Sequence, residues 1–323
     1  MAQLGTDIEL ARDFLTQGQL VGIPSETVYG LAGNALDPQA VASVFTTKNR
    51  PTFDPLILHV ASLAQVAPFV TEIPEKLQRL AEKFWPGPLT LLLPRTPIVP
   101  DLVTSGLARV AVRVPNHPLT LALLEQLDFP LAAPSANPFG YISPTQAAHV
   151  AAQLGDQIPY ILDGGPCTVG LESTIVGLEE EDVVVYRLGG LDLKEIEALV
   201  GPVRIQAHSS SNPSAPGQLA SHYSPTKPFV LGNLSQLIAQ LTGEGKDIGV
   251  LSFSSFFPEV AMDKQVALSS SRDLQEAAQR LFMAMRVLDD SSVTLIVAEE
   301  LPEHGLGRAI NDRLRRAAVQ PTV

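Results

Sequence analysis

The sequence predicts an α/β protein: a twisted mixed sheet with flanking helices, followed by a smaller α/β unit. Three observations carry this. Short apolar, strand-like runs alternate with helix-like segments along most of the 323 residues. The composition is 45% hydrophobic and 17% charged, enough apolar material for sizeable cores. After residue 206 the apolar periodicity stops for roughly 20 residues, then strand and helix signals resume.

In order along the chain, residues 7–18 read as an amphipathic helix with Ile8, Leu10, Ala11, Phe14 and Leu15 near one face and Gly18 beyond its end. Val21–Pro24 is a short strand, 38–48 a helix with a basic last turn, and 56–60 another apolar strand. Residues 73–84 are helical and closed by Trp85-Pro86-Gly87-Pro88; 89–93 is a buried strand. Residues 110–114 form a strand around Arg113, 118–127 a helix, 131–133 a strand, 145–154 a helix and 160–162 a strand. Residues 174–177 and 183–187 read as paired strands. The stretch 207–228, rich in serine and proline, is a linker or lid, so the predicted domains are 1–206, 207–228 and 229–323. The last has βαβ-like, Rossmann-like wiring: strands at 229–231, 249–253 and 293–298, helices at 234–241, 271–288 and 309–318.

Net charge is −12, and residues 1–206 carry 12 Lys and Arg against 22 Asp and Glu, a balance of −10. That argues against a broad nucleic-acid-binding face, so little direct contact with nucleic acid is expected. The single cysteine, Cys167, excludes an intrachain disulfide and reads as a small loop filler in a reducing compartment. There is no signal-like N-terminus, and no apolar run reaches the ~20 residues that span a bilayer. A cytoplasmic protein without membrane contact is expected. Six scattered histidines give no protein-built metal site.

The chemistry begins at Ser25-Glu26-Thr27-Val28-Tyr29-Gly30, directly after a strand. Hydroxyls and a glycine there suit a small polar ligand, or an ordinary capped turn. Arg113 sits in an otherwise apolar strand, so it must meet a buried carboxylate or a ligand anion. Lys48, Arg50 and Arg187 are the other basic residues placed at element ends. Polar loops at 25–30, 134–137, 139–145 and 164–174 offer hydroxyls and backbone N–H groups, and Ser135, Asn137, Ser143 and Thr145 could cradle phosphate oxygens with help from the following helix N-terminus. Together they point to a nucleotide-sized anion, although neither GxGxxG nor GxxxxGK[ST] is present.

Taken in order, Pro24–Leu31, Lys48-Asn49-Arg50-Pro51 with Pro55-Leu56, Trp85–Thr90, Val110–Pro115, Ala133-Pro134-Ser135-Ala136-Asn137, Ser143-Pro144-Thr145, and Asp163-Gly164-Gly165 followed by Glu172–Val176 resemble the YrdC-like threonylcarbamoyl-AMP synthase family. His222-Tyr223-Ser224-Pro225 and the stretch from Gly305-Leu306-Gly307 to Arg316 resemble its long, two-domain form. The resemblance implies synthesis of L-threonylcarbamoyl-adenylate from L-threonine, bicarbonate and ATP, with release of pyrophosphate and water. Mg²⁺ would accompany the phosphates, and a partner transferase would modify tRNA. It implies a threonine pocket of Thr27, His59, Arg113, Ser173 and the Ala133 backbone, with Arg113 on the carboxylate. It puts Lys48, Arg50, Asp54, Arg109, Ser135, Asn137, Ser143 and Arg187 on the ATP side, Lys48, Arg50 and Arg113 as the catalytic cations, and Tyr223 over the nucleotide. Asp54, Arg109 and Asn49 depart from the usual pattern; Asn49 in place of glycine requires a left-handed backbone. Two other readings are a non-catalytic RNA-binding module and a carbamoyltransferase using carbamoyl phosphate.

Overall fold

The computed structural model describes residues 1–206, 215–216 and 222–319. Two compact units result: Met1–Phe139, Ser143–Thr168 and Glu172–Leu219 form the first, and Gly140–Ile142, Val169–Leu171 and Ala220–Val323 the second. Of the linker expected at 207–228, residues 207–214 and 217–221 lie outside the described residues, and the described end, 222–228, falls in the second unit.

The first unit contains strands β1 (Gln3–Gly5), β2 (Val21–Ile23), β3 (Gly30–Asn34), β4 (Ile57–His59), β5 (Leu89–Pro94), β6 (Arg109–Arg113), β7 (Leu131–Ala132), β8 (Tyr160–Leu162), β9 (Thr174–Glu179), β10 (Asp182–Arg187) and β11 (Arg204–Ile205). They form one mixed sheet in the order β1-β8-β2-β3-β7-β4-β6-β5-β9-β10-β11. Its helices are α1 (Ile8–Thr16), α2 (Pro38–Lys48), α3 (Glu75–Phe84), α4 (Asp101–Thr104), α5 (Pro118–Glu125), α6 (Ala147–Leu154) and α7 (Leu193–Val200). The period-2 pattern of β6 explains its packing. Val110, Val112 and Val114 enter the large core with Leu58, Leu91 and Leu93, whereas Ala111 joins Ile57, Leu92, Ile175 and Tyr186 in a smaller cluster. Arg113 shares the alternation of Ala111, and so ends a strand on the face where apolar packing gives way to polar groups.

Helix termini follow ordinary capping chemistry. Asp7 accepts from the Leu10 N–H at the start of α1, and Asp37 from the Gln39 N–H ahead of Pro38 in α2. Helix α2 stops at Asn49, whose φ of 52° is the left-handed conformation required above; its N–H meets the carbonyls of Phe45 and Thr46.

Several elements escaped the sequence pattern. Strand β3 reads Gly-Leu-Ala-Gly-Asn, with no β-branched residue, and exists because it pairs antiparallel with both β2 and β7. Strands β1 and β11 have three and two residues. The helix expected from Thr145 begins at Ala147, with Gln146 as an N-cap that makes no side-chain bond.

The second unit holds β12 (Phe229–Leu231), α8 (Leu234–Gly243), β13 (Ile248–Ser252), β14 (Gln265–Ala267), α9 (Leu274–Asp290), β15 (Leu295–Ala298) and α10 (Gly307–Ala318). Its four strands are all parallel, in the order β12-β15-β13-β14. Strand β14, Gln-Val-Ala, was not expected. Within this unit Asp289 accepts from Tyr141 and Thr226 and from the backbone N–H groups of Thr226 and Lys227. No described helix is long and apolar enough to cross a membrane.

Candidate active site

Strands β4 and β6 run parallel with His59 opposite Arg113, so both side chains arise at the same end of adjacent strands. Arg113 is 4% exposed. Its Nε donates to the Gly87 carbonyl at 3.2 Å, Nη1 to Thr27 Oγ1 at 2.8 Å and Nη2 to Glu26 Oε1 at 2.6 Å. Of the two partners expected for a strand-bound guanidinium, a buried carboxylate or a ligand anion, the structure supplies a carboxylate in Glu26, whose Oε2 accepts from the Asn116 N–H at 3.0 Å. A guanidinium has five N–H groups. Three have acceptors among the described residues, leaving one on each terminal nitrogen.

The loop before β3 turns on Ser25. Its Oγ donates to the Val28 carbonyl at 2.6 Å and accepts from the N–H groups of Thr27 and Val28. Because the Ser25 proton goes to Val28, the 2.8 Å contact with Thr27 Oγ1 has Thr27 as donor. Thr27 Oγ1 thus accepts from Arg113, donates to Ser25 and keeps one lone pair for a ligand N–H or O–H.

His59 is buried, with Nδ1 3.2 Å from the Ile57 carbonyl. Burial, reinforced by the nearby positive Arg113, pushes its pKa down to about 3. It is neutral near pH 7, and Nδ1–H donates to the Ile57 carbonyl.

Ser173 immediately precedes β9, which runs parallel to β5 with Leu89 opposite Thr174. Its hydroxyl lies 2.7 Å from Thr90 Oγ1 and accepts from Arg187 Nη2 at 3.0 Å, while Arg187 Nε donates to the Ser173 carbonyl at 3.0 Å. Arg187, expected beside ATP, is thus bonded to a residue expected beside threonine. Thr90 had drawn no role, although the sequence Trp85–Thr90 contains it.

Lys48, at the end of α2, is 1% exposed, and its Nζ donates to the carbonyls of Ser135 and Asn137, both at 2.5 Å. One ammonium donor remains among the described residues. Burial and then the charge of Arg50 lower its pKa well below the ordinary lysine range. Arg50 pairs with the buried Asp54 at 2.9 Å and donates to the Asp54 and Pro55 carbonyls. Asp54, ambiguous in the sequence, is thus the counter-ion of Arg50. Backbone bonds tie these loops together: Phe139 N–H to Lys48 O, Ala136 N–H to Tyr29 O, and Tyr29 N–H to Pro144 O, each 2.8 Å. Ser143 Oγ donates to Glu172 Oε1 at 2.6 Å, and Asn137 Nδ2 to the Pro138 carbonyl at 2.7 Å. The Ala133 N–H meets the Ile57 carbonyl at 3.3 Å.

Arg109 stands apart from this group. It opens β6, four residues and about 13 Å of strand before Arg113. There its Nη1 donates to the Tyr186 hydroxyl at 2.9 Å, and its guanidinium stacks on that ring at 5.1 Å. Tyr223 lies within the second unit, 1% exposed, with φ 64°. Its ring stacks on Phe282 at 5.6 Å and faces the guanidinium groups of Arg313 and Arg316 at 5.2 and 4.8 Å. Cys167 is buried, its thiol pushed up to about 12 by desolvation, consistent with loop packing rather than nucleophilic chemistry. Among the described residues no three His, Cys, Asp or Glu side chains gather to hold a metal.

What these groups can do together is hold one small carboxylate at Arg113, flanked by hydroxyl groups and an imidazole, beside a cluster of cationic and hydroxyl-bearing loops centred on Lys48. Comparison with known proteins places the chain in a family. Residues 13–189 match the Sua5–YciO–YrdC family model, described as telomere recombination, and residues 191–319 match the model for the C-terminal domain of threonylcarbamoyl-AMP synthase. The chain is 42% identical to the threonylcarbamoyl-AMP synthase of Pyrococcus abyssi over 96% of its own length and 94% of that protein. It is 38% identical to the Bacillus subtilis enzyme of the same name, over 96% and 92%. The crystal structure of P. abyssi Sua5 complexed with L-threonine superimposes with a TM-score of 0.91, covering 96% of this chain and 94% of that one. Two family models in tandem and relatives alignable over nearly their whole length leave one conclusion: the chain belongs to the Sua5-type threonylcarbamoyl-AMP synthase family, with a YrdC-type domain followed by a Sua5 C-terminal domain.

Proposed function

We propose that this threonylcarbamoyl-AMP synthase uses the Arg113 pocket for L-threonine and the Lys48 loops for ATP, and that it needs no protein nucleophile. The observation that carries the reading is the pair of N–H groups left on the two terminal nitrogens of a buried, fully oriented Arg113. Those donors take the substrate carboxylate, Thr27 Oγ1 supplies an acceptor for its polar hydrogens, and neutral His59 and Ser173 complete the pocket. The deprotonated amine adds to CO₂ or bicarbonate, releasing water in the second case and giving N-carboxy-threonine. One oxygen of the new carboxylate attacks the α-phosphorus of ATP, the α–β bridging P–O bond breaks, and pyrophosphate leaves with its electron pair. The protein's contribution is alignment and charge neutralisation. The free Lys48 donor, Arg50, Ser135, Asn137 and Ser143 would hold the phosphates. Phosphate would restore the ammonium form that burial disfavours in Lys48. Arg187 would serve the ATP side while also holding Ser173 in place. Mg²⁺ would arrive with the phosphates and supply Lewis-acid charge neutralisation there. Tyr223 would close over the nucleotide from the linker, and the unstable adenylate would pass to a transferase acting on tRNA in the cytoplasm.

The test is pyrophosphate release from ATP in the presence of bicarbonate, with and without L-threonine. Release that needs threonine is expected; release that ignores threonine would refute the assignment.

A further inference from the structure

Glu26 has no role in the chemistry above. It is 5% exposed, and burying an ion pair is a poor route to stability, because desolvation cancels much of the attraction. Both oxygens are engaged: Oε1 by Arg113 Nη2 and Oε2 by the Asn116 backbone N–H, just beyond the end of β6. One carboxylate therefore joins the polar loop at 25–30 to the chain that leaves the strand bearing Arg113. The effect on Arg113 is geometric. Each of its three nitrogens is held by a different residue, Nε by Gly87, Nη1 by Thr27 and Nη2 by Glu26. These three anchors fix the orientation of the guanidinium, and one N–H remains on each terminal nitrogen. A free arginine side chain would lose that rotamer freedom on binding; here it is lost at folding.

We infer that Glu26 is a positioning residue for substrate recognition, fixing the Arg113 fork so that it meets the α-carboxylate of threonine bidentately. The inference rests on the assignment of that carboxylate to Arg113. Two effects of Glu26 on binding oppose each other. Its charge repels the substrate carboxylate, and its clamp aligns the donors. The clamp dominates, because threonine arrives as a zwitterion whose ammonium group offsets the repulsion.

The experiment is calorimetric titration of L-threonine, and separately of ATP, into the full-length wild type, Glu26→Gln and Glu26→Ala, with thermal melting of each. Loss of one hydrogen bond to a charged group corresponds to roughly a tenfold to hundredfold weaker threonine Kd for Glu26→Ala. ATP affinity should stay within about twofold of wild type. Glu26→Gln keeps one acceptor oxygen and should recover part of the loss. If wild type binds threonine and either variant binds it equally or more tightly, the clamp is refuted while the assignment of the pocket stands. Threonine and ATP weakened alike would also refute it, by making Glu26 a general structural support. Wild type that fails to bind threonine would overturn the pocket assignment and this inference with it.

Discussion

Replacing Arg113 by lysine tests the fork rather than the charge. The buried Glu26 keeps a cationic neighbour, so the substitution avoids the penalty of about 3–5 kcal/mol that accompanies an orphaned buried charge and would attend alanine. Three of the five N–H groups of Arg113 are spent on Gly87, Thr27 and Glu26. Lysine has three donors from one point, so after Glu26 and Thr27 it has at most one for the substrate. At least one charge-assisted hydrogen bond to threonine is lost, worth about 1.5–3 kcal/mol. At about 1.4 kcal/mol per factor of ten, kcat/KM for threonine should fall roughly tenfold to hundredfold, chiefly through KM. The KM for ATP should be nearly unchanged. The assay is initial-rate pyrophosphate release at saturating ATP and bicarbonate with threonine varied, and circular dichroism should show the same melting behaviour. Wild-type kcat/KM in the folded Arg113→Lys variant would refute the bidentate grip.

Lys48→Met keeps the buried stem but removes the donor that remains free; ATP affinity should drop at least about tenfold while threonine binding without ATP is retained, as equilibrium binding of each would show. His59 gives a signed pH dependence. Its folded pKa, near 3, lies below the unfolded value near 6.5, so the unfolded chain binds the extra proton between those limits and stability should fall as pH drops through them. The slope is at most about 1.4 kcal/mol per pH unit, so urea titrations at pH 6.5 and pH 5 should show a loss of up to about 2 kcal/mol in wild type that is missing in His59→Asn; equal losses would refute a buried neutral imidazole. A chain ending at Gln206 should lose most turnover in the same pyrophosphate assay; full activity would make the segment beyond it dispensable to catalysis.

Much of the α/β organisation was legible in the sequence because it rests on local signals. The helical pattern at 38–48, with its basic last turn, predicts α2 to the residue. Alternation around Arg113 predicts β6 and the burial of its arginine. Strand β3 was hidden because its glycine-rich sequence acquires strand geometry only from neighbours on both sides. The same division holds at the site. Arg113 announced itself as a charge in an apolar strand, and the need for a buried anion followed. Which acid answers that need depends on a contact across 87 residues of sequence, and periodicity does not reach that far. Thr90 and Glu172 were missed for the same reason. Each serves a neighbour distant in sequence, Ser173 and Ser143, and their own segments read as an ordinary strand and loop. The bonds from Arg187 to Ser173 were likewise not legible, since an arginine at a strand end serves a hydroxyl and a carbonyl as readily as an anion.

The proposed chemistry joins threonine, bicarbonate and ATP in this protein without a covalent enzyme intermediate. It is tested most directly by following isotopic carbon from bicarbonate into the nucleotide product while pyrophosphate is counted. Labelled threonylcarbamoyl-adenylate and pyrophosphate are expected in equal amounts, both dependent on L-threonine. Pyrophosphate formed without threonine, or an adenylate without the bicarbonate carbon, would contradict it.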